Sequence, residues 1–352
     1  MQNFLKFTII LIAITHLSSC DNTLYVNDKW TDITVAFSIL DKSQDTQWVR
    51  VNRAWLGTDD IIVGAESPDS IYYDQILSVF IDEMDGITVR KSIQLTYDDQ
   101  SRQLNDGFFT TDGYHLYRTT ELIDSDYRYR LRIDKGDGSS PVTSETVILN
   151  NSLNITRPSR VARINLEPFV NYGFEFTSQP NSKIFQPVIT LNYKEFNVNN
   201  PSSLTYHQAN YFLPVKESIN TSGGIGLISG YTTESLLEGW KLKIPTDPNV
   251  RRFVTGIDFE VTAGTEDMHT YINVNQPPTG IVTERPDFSN IEGGYGLFAS
   301  SALNGRYDKE FTETGILQLV LNDISCELQF GRIFLSPSGA DTCYCTGNGQ
   351  CN

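Results

Sequence analysis

The sequence predicts a mainly β protein. An immunoglobulin/fibronectin-III-like sandwich comes first, and a second β-rich domain with one or two short helices follows. Three observations carry this. The chain has 17 Tyr and 19 Phe against 3 Met, and it is rich in Val, Ile and Thr. Asn, Asp, Gly and Ser break these runs at short intervals, a strand-and-turn composition. Its 352 residues exceed one usual core, so two domains are expected.

The N-terminus reads as an export signal over residues 1–19. Lys6 is its one charge, and an apolar run from Phe7 to Leu17 follows. That run is shorter than the roughly 20 residues that span a bilayer, and small residues close it, as in a secretory signal. Leu17-Ser18-Ser19-Cys20 resembles a bacterial lipobox. The resemblance implies that Cys20 is acylated and becomes the first mature residue. A single acyl chain holds only marginally, so the two or three chains implied here would make a firm membrane anchor. Cleavage removes Lys6 and takes the net charge from −16 to −17. Residues 20–32 are polar and read as the lipidated tether.

The sandwich is expected over residues 33–155. Thr34 to Ile39 alternates, as do Gln47 to Val51, Ser78 to Ile81, Thr88 to Arg90 and Ser92 to Tyr97. Asp85-Gly86 is a hairpin turn signal. Tyr114 to Tyr117, Tyr127 to Ile133 and Thr143 to Leu149 complete about seven short strands. The segment Glu121 to Ile133 resembles the fibronectin-III pattern of leucine, turn, tyrosine and alternating strand. Tyr127, Tyr129, Leu131 and Ile133 share one face, and Arg128, Arg130 and Arg132 share the other. The arginines read as a solvated strand face paired with carboxylates.

Asn150 to Ser159 reads as the boundary, and the second domain is expected over residues 160–352. Strands are expected at Arg160 to Leu166, Tyr172 to Thr177, Gln186 to Phe196, Tyr206 to Pro214, Gly239 to Ile244 and Phe253 to Thr262. Thr233 to Leu237 reads as one helical turn. A helix is expected from Thr265, its N-cap, to about Asn275, with Glu266 and Asp267 in the first turn and Pro277-Pro278 after it. Gly293, Gly294 and Gly296 mark a tight turn region. Ile316 to Leu321 and Glu327 to Leu335 read as closing strands.

Chemistry-bearing patterns are sparse. His115, His207 and His269 lie outside any His-Glu-x-x-His motif, and there is no Gly-x-Ser-x-Gly elbow or P-loop. Gly294-Tyr-Gly296-Leu-Phe-Ala299 matches Gly-x-Gly-x-x-Ala, but its sequence context is not strand-turn-helix, so no dinucleotide is expected. Asp82 to Gly86 and Asp134 to Gly138 cluster carboxylates without completing a calcium loop, and they read as hairpin turns. No catalytic residue, metal site or cofactor is expected. A pI near 4.6 argues against nucleic acid as a partner. Asp69-Ser70-Ile71 resembles the Asp-Ser/Thr-aliphatic O-glycosylation signal of exported Bacteroidetes proteins, which would modify Ser70.

Several segments together resemble a lipoprotein family of Bacteroidetes known as a domain of unknown function. They are the lipobox, residues 78–97, 113–134, 144–155 and 266–275, and above all Ser289 to Phe298, which matches Ser-Asn-Ile-x-Gly-Gly-x-Gly-x-Phe. The resemblance implies a lipoprotein of the outer membrane, often encoded near TonB-dependent receptors, with no assigned activity or site residues. The function expected is therefore a non-catalytic accessory or ligand-capturing partner of an outer-membrane uptake system. The alternatives are a structural or adhesive surface protein, which a row of exposed aromatics would favour, and a carbohydrate-active or proteolytic enzyme with an atypical site. A glycosidase would need two carboxylates about 5–9 Å apart in a cleft.

With Cys20 lipidated, four cysteines remain: Cys326, Cys343, Cys345 and Cys351. Export places them where disulfides persist. Cys343-Tyr-Cys345 is tighter than common zinc spacings, so disulfides are expected over metal. The pairing expected first is Cys345–Cys351 with Cys326–Cys343. The alternative is Cys326–Cys345 with Cys343–Cys351.

Overall fold

The computed structural model describes residues 32–54, 71–98, 115–276, 287–336 and 339–345, without the side chains of 201 and 333–344. Cys20, Ser70 and Cys351 lie outside the described residues, as does the side chain of Cys343. The first strands are β1 (Thr34–Leu40), β2 (Gln47–Arg53), β3 (Ser78–Asp85), β4 (Thr88–Gln94), β5 (Thr96–Asp98), β6 (Leu116–Thr119), β7 (Arg128–Asp134) and β8 (Val142–Val147). Then come β9 (Asn154–Arg157), β10 (Asn171–Thr177), β11 (Ser182–Asn197), β12 (Asn200–Phe212), β13 (Lys216–Glu217) and β14 (Gly226–Thr232). The last elements are α1 (Thr233–Lys241), β15 (Val250–Thr265), α2 (Glu266–Asn275), β16 (Gly294–Lys309), α3 (Glu313–Leu321), β17 (Gly331–Ser336) and β18 (Gly339–Tyr344).

The protein is mainly β. A nine-stranded sheet runs β12-β11-β15-β16-β1-β2-β6-β5, with β13 beside β11. Smaller sheets are β4-β3-β7-β8 and β14-β10-β9, and β17-β18 is a hairpin. The four-stranded sheet packs on the β1-β2-β6 end of the large one and makes the N-terminal sandwich. Alternation drives this: Tyr129, Leu131 and Ile133 are buried, while Arg128, Arg130 and Arg132 point the other way and pair with Glu145 and Asp82. In the fibronectin-like segment, Ile123 is buried and Leu122 is exposed. The Tyr129 hydroxyl accepts from the Asp124 N–H (2.8 Å) and donates to Glu83 (2.9 Å). A tyrosine reaching back to its upstream backbone is the corner device of immunoglobulin-type sandwiches.

One strand joins the two halves. The start of β16 pairs in parallel with β1, Thr34 opposite Gly294 through Leu40 opposite Ser300. The rest of β16 pairs with β15. Two cores result. Ala36 to Ile148 form one, completed by Ile291 and Phe298; residues between Leu149 and Phe330 form the other. Leu149, Leu153 and Ile155 belong to the second core, so the two cores do not divide at the boundary expected over Asn150 to Ser159; β16 serves both and the large sheet is continuous across them.

Gly294 and Gly296 lie in this strand, so the glycine-rich region is a strand start as well as a turn. A Cβ on either would run into the carbonyl of Thr34 or Ala36. The strand-turn-helix context of a dinucleotide site is absent here.

Among the described residues three helices form in the second half, where one or two were expected. In α1 the Thr232 hydroxyl accepts from the Ser235 N–H (3.1 Å), and Ser235 Oγ accepts from the Thr232 N–H (2.9 Å). This capping box starts a helix that buries Leu236, Leu237 and Trp240, so the strand expected at Gly239 to Ile244 is overturned. In α3 the Thr312 hydroxyl accepts from the Gly315 N–H (3.1 Å) and Glu313 sits in the first turn. Ile316 to Leu321 is therefore helix, not strand, and it buries Leu319 and Val320. Residues 326–328 form a 3-10 turn ahead of β17, which shortens the strand expected at Glu327 to Leu335.

Cys326 and Cys345 form a disulfide, with their Cα atoms 5.2 Å apart. This overturns the pairing expected first and agrees with the first half of the alternative. Register explains it. Gly331 lies opposite Tyr344 in the β17-β18 hairpin, so Cys345 returns beside the 3-10 turn while Cys343 lies opposite Arg332. Arg252 anchors the same turn: it is buried and donates to the Leu328 carbonyl (2.6 Å), the Pro245 carbonyl (2.8 Å) and Glu195 (2.7 Å).

Candidate functional site

Strand alternation divides β11, β12, β15 and β16 between two faces. Phe185, Ile189, Leu191 and Tyr193 of β11 turn to the core. Val188, Thr190, Asn192 and Lys194 turn away from it, opposite Phe212, Asn210, Gln208 and Tyr206 of β12. On their other side Val188 and Thr190 lie opposite Glu260 and Asp258 of β15. The helices α1 and α3 pack on the core side. Across the outer face lies α2, at one end only: Gly264 leaves room for Met268, and Tyr271 meets Phe37 edge-on at 5.8 Å. Elsewhere no described element covers the outer face. Tyr206 is 73% exposed, Phe212 59% and Tyr307 51%.

A polar ladder crosses this face between the aromatics. Gln208 Nε2 donates to Asn192 Oδ1 (2.9 Å), and Asn192 Nδ2 donates to Asp258 Oδ2 (2.7 Å). The Asp308 N–H donates to Asp258 Oδ1 (2.7 Å). This last bond exists because the β15-β16 register shifts between Ile257 and Phe259 and Asp308 adopts φ 52° there. Thr190 Oγ1 donates to Asn210 Oδ1 (3.0 Å). Tyr307 is bonded to Glu260; burial, then the charge of Glu260 and that bond, push its hydroxyl up to about 12. Phe196 and Phe253 stack with centroids 6.0 Å apart, and Lys194 Nζ lies 5.9 Å from the Phe253 ring centre. The face therefore offers exposed rings flanking a row of amide and hydroxyl groups whose geometry is fixed by their own bonds.

A cavity of about 420 Å³ opens beside β15, lined by Val254, Gly256, Phe311 and Ile316 and by four charged side chains. The charges are matched across it: Arg163 with Glu310 (2.8 Å) and Arg332 with Glu313 (2.5 Å). Glu310 and Glu313 put two carboxylates in one cleft, but both are largely exposed and each is held by an arginine.

The histidines are not brought together. His115 is stacked on Tyr72 (4.2 Å) with Tyr97 edge-on (5.3 Å), and burial pushes its pKa down. His207 stacks on Tyr193, and His269 bonds Asn273 and Glu217. Among the described residues no group of three or more His, Cys, Asp or Glu is placed to hold a metal ion. The second acidic stretch is a turn: Asp134 accepts from the Gly136 N–H (2.8 Å) and Asp137 from the Ser139 N–H (2.9 Å). In the first, Asp82 to Asp85 lie in β3 and only Gly86 and Ile87 turn into β4. No described helix is long and apolar enough to cross a membrane. Sequence reasoning placed strands at β11, β12 and β15 of the open face but expected none at β16, and it missed the ladder, because only the register brings Gln208, Asn192 and Asp258 into line.

No protein-family model and no curated protein matches the chain. Among solved structures, it is similar to the C-terminal globular domain of an oligosaccharyltransferase from Pyrococcus abyssi, at 13% identity and a TM-score of 0.27, over 64% of this chain and 42% of that one. It is also similar to CBD12 from CALX1.2, at 14% identity and a TM-score of 0.17, over 75% of this chain and 94% of that one. The chain thus spans less than half the length of the oligosaccharyltransferase domain it matches. At these scores neither likeness bears on function.

Proposed function

We propose that this protein is a non-catalytic lipoprotein of the cell envelope, held to the outer membrane by acyl chains on Cys20. It captures ligand as an accessory of a TonB-dependent uptake system. The observation that supports capture is the open sheet face, where exposed Tyr206, Phe212 and Tyr307 flank the Gln208–Asn192–Asp258 ladder. Rings give flat stacking surfaces, and amides give directional hydrogen bonds. That combination suits a neutral, hydroxyl-rich ligand lying flat across the strands. Affinity purification with gentle cross-linking under inducing conditions tests the partner: failure to recover an outer-membrane receptor counts against it. Replacing Cys20 by Ser should release the chain from the membrane fraction, and protease shaving of intact cells decides which membrane face it occupies.

The same row of exposed aromatics favours a second reading, an adhesive surface protein. Wild-type cells and cells lacking this chain would then differ in attachment and not in growth on a transported nutrient.

A further inference from the structure

Among the described residues the strand β12 ends the nine-stranded sheet and pairs on one side, with β11. The Leu213 N–H donates to the Pro187 carbonyl (3.0 Å), which fixes the phase of the ladder. Odd-numbered residues of β12 turn their backbone groups to β11. Tyr206, Gln208, Asn210 and Phe212 turn theirs outward, and these four are exposed, as is Leu204 beside them. Natural sheet edges are usually guarded by a charge, a proline or a bulge. From Thr205 to Phe212 there is none of these; the register shift between Glu195 and Asn197 lies just before this stretch. The 20 residues Phe196 to Val215 contain no Asp, Glu, Lys or Arg, although charged residues make up 20% of the chain. Pairing from Thr205 to Phe212 runs without a register shift.

We propose that this edge joins a second copy of the chain, with β12 antiparallel to β12 and centred on Gln208. The centre follows from the ends of the free edge. The Asn200 carbonyl accepts from Ser203 Oγ (2.7 Å), so the turn end is occupied. At the other end Pro214 has no N–H to offer. Between them lies Leu204 to Phe212, with Gln208 at its midpoint. In this register Leu204 faces Phe212 of the other copy, Tyr206 faces Asn210, and Gln208 faces itself. Each outward pair inside the regular ladder, Tyr206 with Asn210 twice and Gln208 with itself, exchanges two backbone bonds, about six in all, within the range of a typical protein interface.

Charge decides the occupant. Two chains of net charge −16 repel each other over most of their surfaces. This long edge is where they meet with no like charges opposed. A cationic partner would be matched by carboxylates, and the edge offers none. Antiparallel pairing puts the two-fold axis normal to the sheet, so the open faces of both copies lie on the same side and merge into one surface.

Sedimentation of the chain purified from cells, over a wide concentration range, tests this. The expected result is a species of twice the monomer mass. Gln208→Lys and Gln208→Glu should each lose the dimer while keeping the wild-type circular dichroism spectrum, and an equal mixture of the two should restore it. Hydrogen exchange on the wild-type chain gives a readout without substitutions: the amides of residues 206, 208 and 210 should slow as concentration rises. A chain that stays monomeric throughout overturns the proposal. So does a dimer that Gln208→Lys leaves intact while folded, or amide protection that arises only when a different protein is added.

Discussion

The side-chain amide of Asn290 closes two hydrogen bonds with the backbone of Phe298: Phe298 N–H to Oδ1 at 2.9 Å, and Nδ2 to the Phe298 carbonyl at 2.8 Å. It acts as one rung of a strand that is not there. The Asn290 carbonyl also accepts from Ser144 Oγ (2.6 Å), and Glu292 exchanges backbone bonds with Thr143. The segment Ser289 to Phe298 thus clamps the four-stranded sheet to the large one, and its physical role is structural. Asn290→Ala should cost about 1–3 kcal/mol, since it leaves part-buried backbone groups unpaired. Asn290→Asp should recover only the bond from the Phe298 N–H and then repel the carbonyl. Urea unfolding of both variants checks the order.

The buried Asp82 carboxylate makes stability acid-sensitive. Burial opposes its ionisation, but hydrogen bonds from Arg132 and Ser92, the Arg132 charge and a hydrogen bond from Arg130 outweigh this and hold the carboxyl below the usual carboxylate range. The stabilisation is complete above the unfolded-state value of about 3.9 and is lost as pH falls through the lower native value. Asp82→Asn should remove that acid-limb slope. It should cost about 2–3 kcal/mol, less than a fully buried pair because both arginines reach solvent. Thermal melts at neutral and acid pH check both.

Burial of His115 between two tyrosines disfavours its cationic form. A depressed histidine gives its full stabilisation above the unfolded-state value of about 6.5 and loses it as pH falls toward the native value. His115→Phe should flatten the stability profile just below pH 6.5, and denaturant midpoints across that range measure it.

The Cys326–Cys345 bridge closes a 19-residue separation, which chain entropy values at about 3 kcal/mol. Peptide mapping without reduction should return these two cysteines linked. Four reactive thiols on the intact protein would remove the disulfide assignment altogether. Cys326→Ser should lower stability by about 2–4 kcal/mol and loosen the 3-10 turn that Arg252 holds.

On the open face, Tyr206→Ala combined with Tyr307→Ala should weaken ligand capture at least about tenfold, the loss of roughly 1.4 kcal/mol. Exposed surface positions of this kind usually shift stability by about 0.5 kcal/mol or less. Calorimetry with neutral oligosaccharides and a melt of the same samples separate binding from folding.

The strand β7 was legible because one of its faces is buried: Tyr129, Leu131 and Ile133 alternate with three arginines, and that pattern has a single reading. Ile316 to Leu321 reads as a strand and is a helix. A short apolar run fits a buried strand or a helix equally well, and the Thr312 cap with Glu313 was the signal that decides it. The pairing of Cys326 with Cys345 depends on hairpin register, which no local pattern encodes. The parallel contact of β1 with β16 and the ladder from Gln208 to Asp258 depend on strands meeting across the chain, so composition and spacing are silent on both.

The strand shared by the two cores also sets an order of events. Thr34 waits for Gly294, its neighbour in the sheet. A chain delivered N-terminus first must therefore keep β1 from other edges until nearly all of it has emerged. Such long-range closure slows folding and prolongs the exposure of unpaired strands. Refolding of the full chain should be slow for its size. A fragment ending at residue 155 should lack the strand that completes its sandwich.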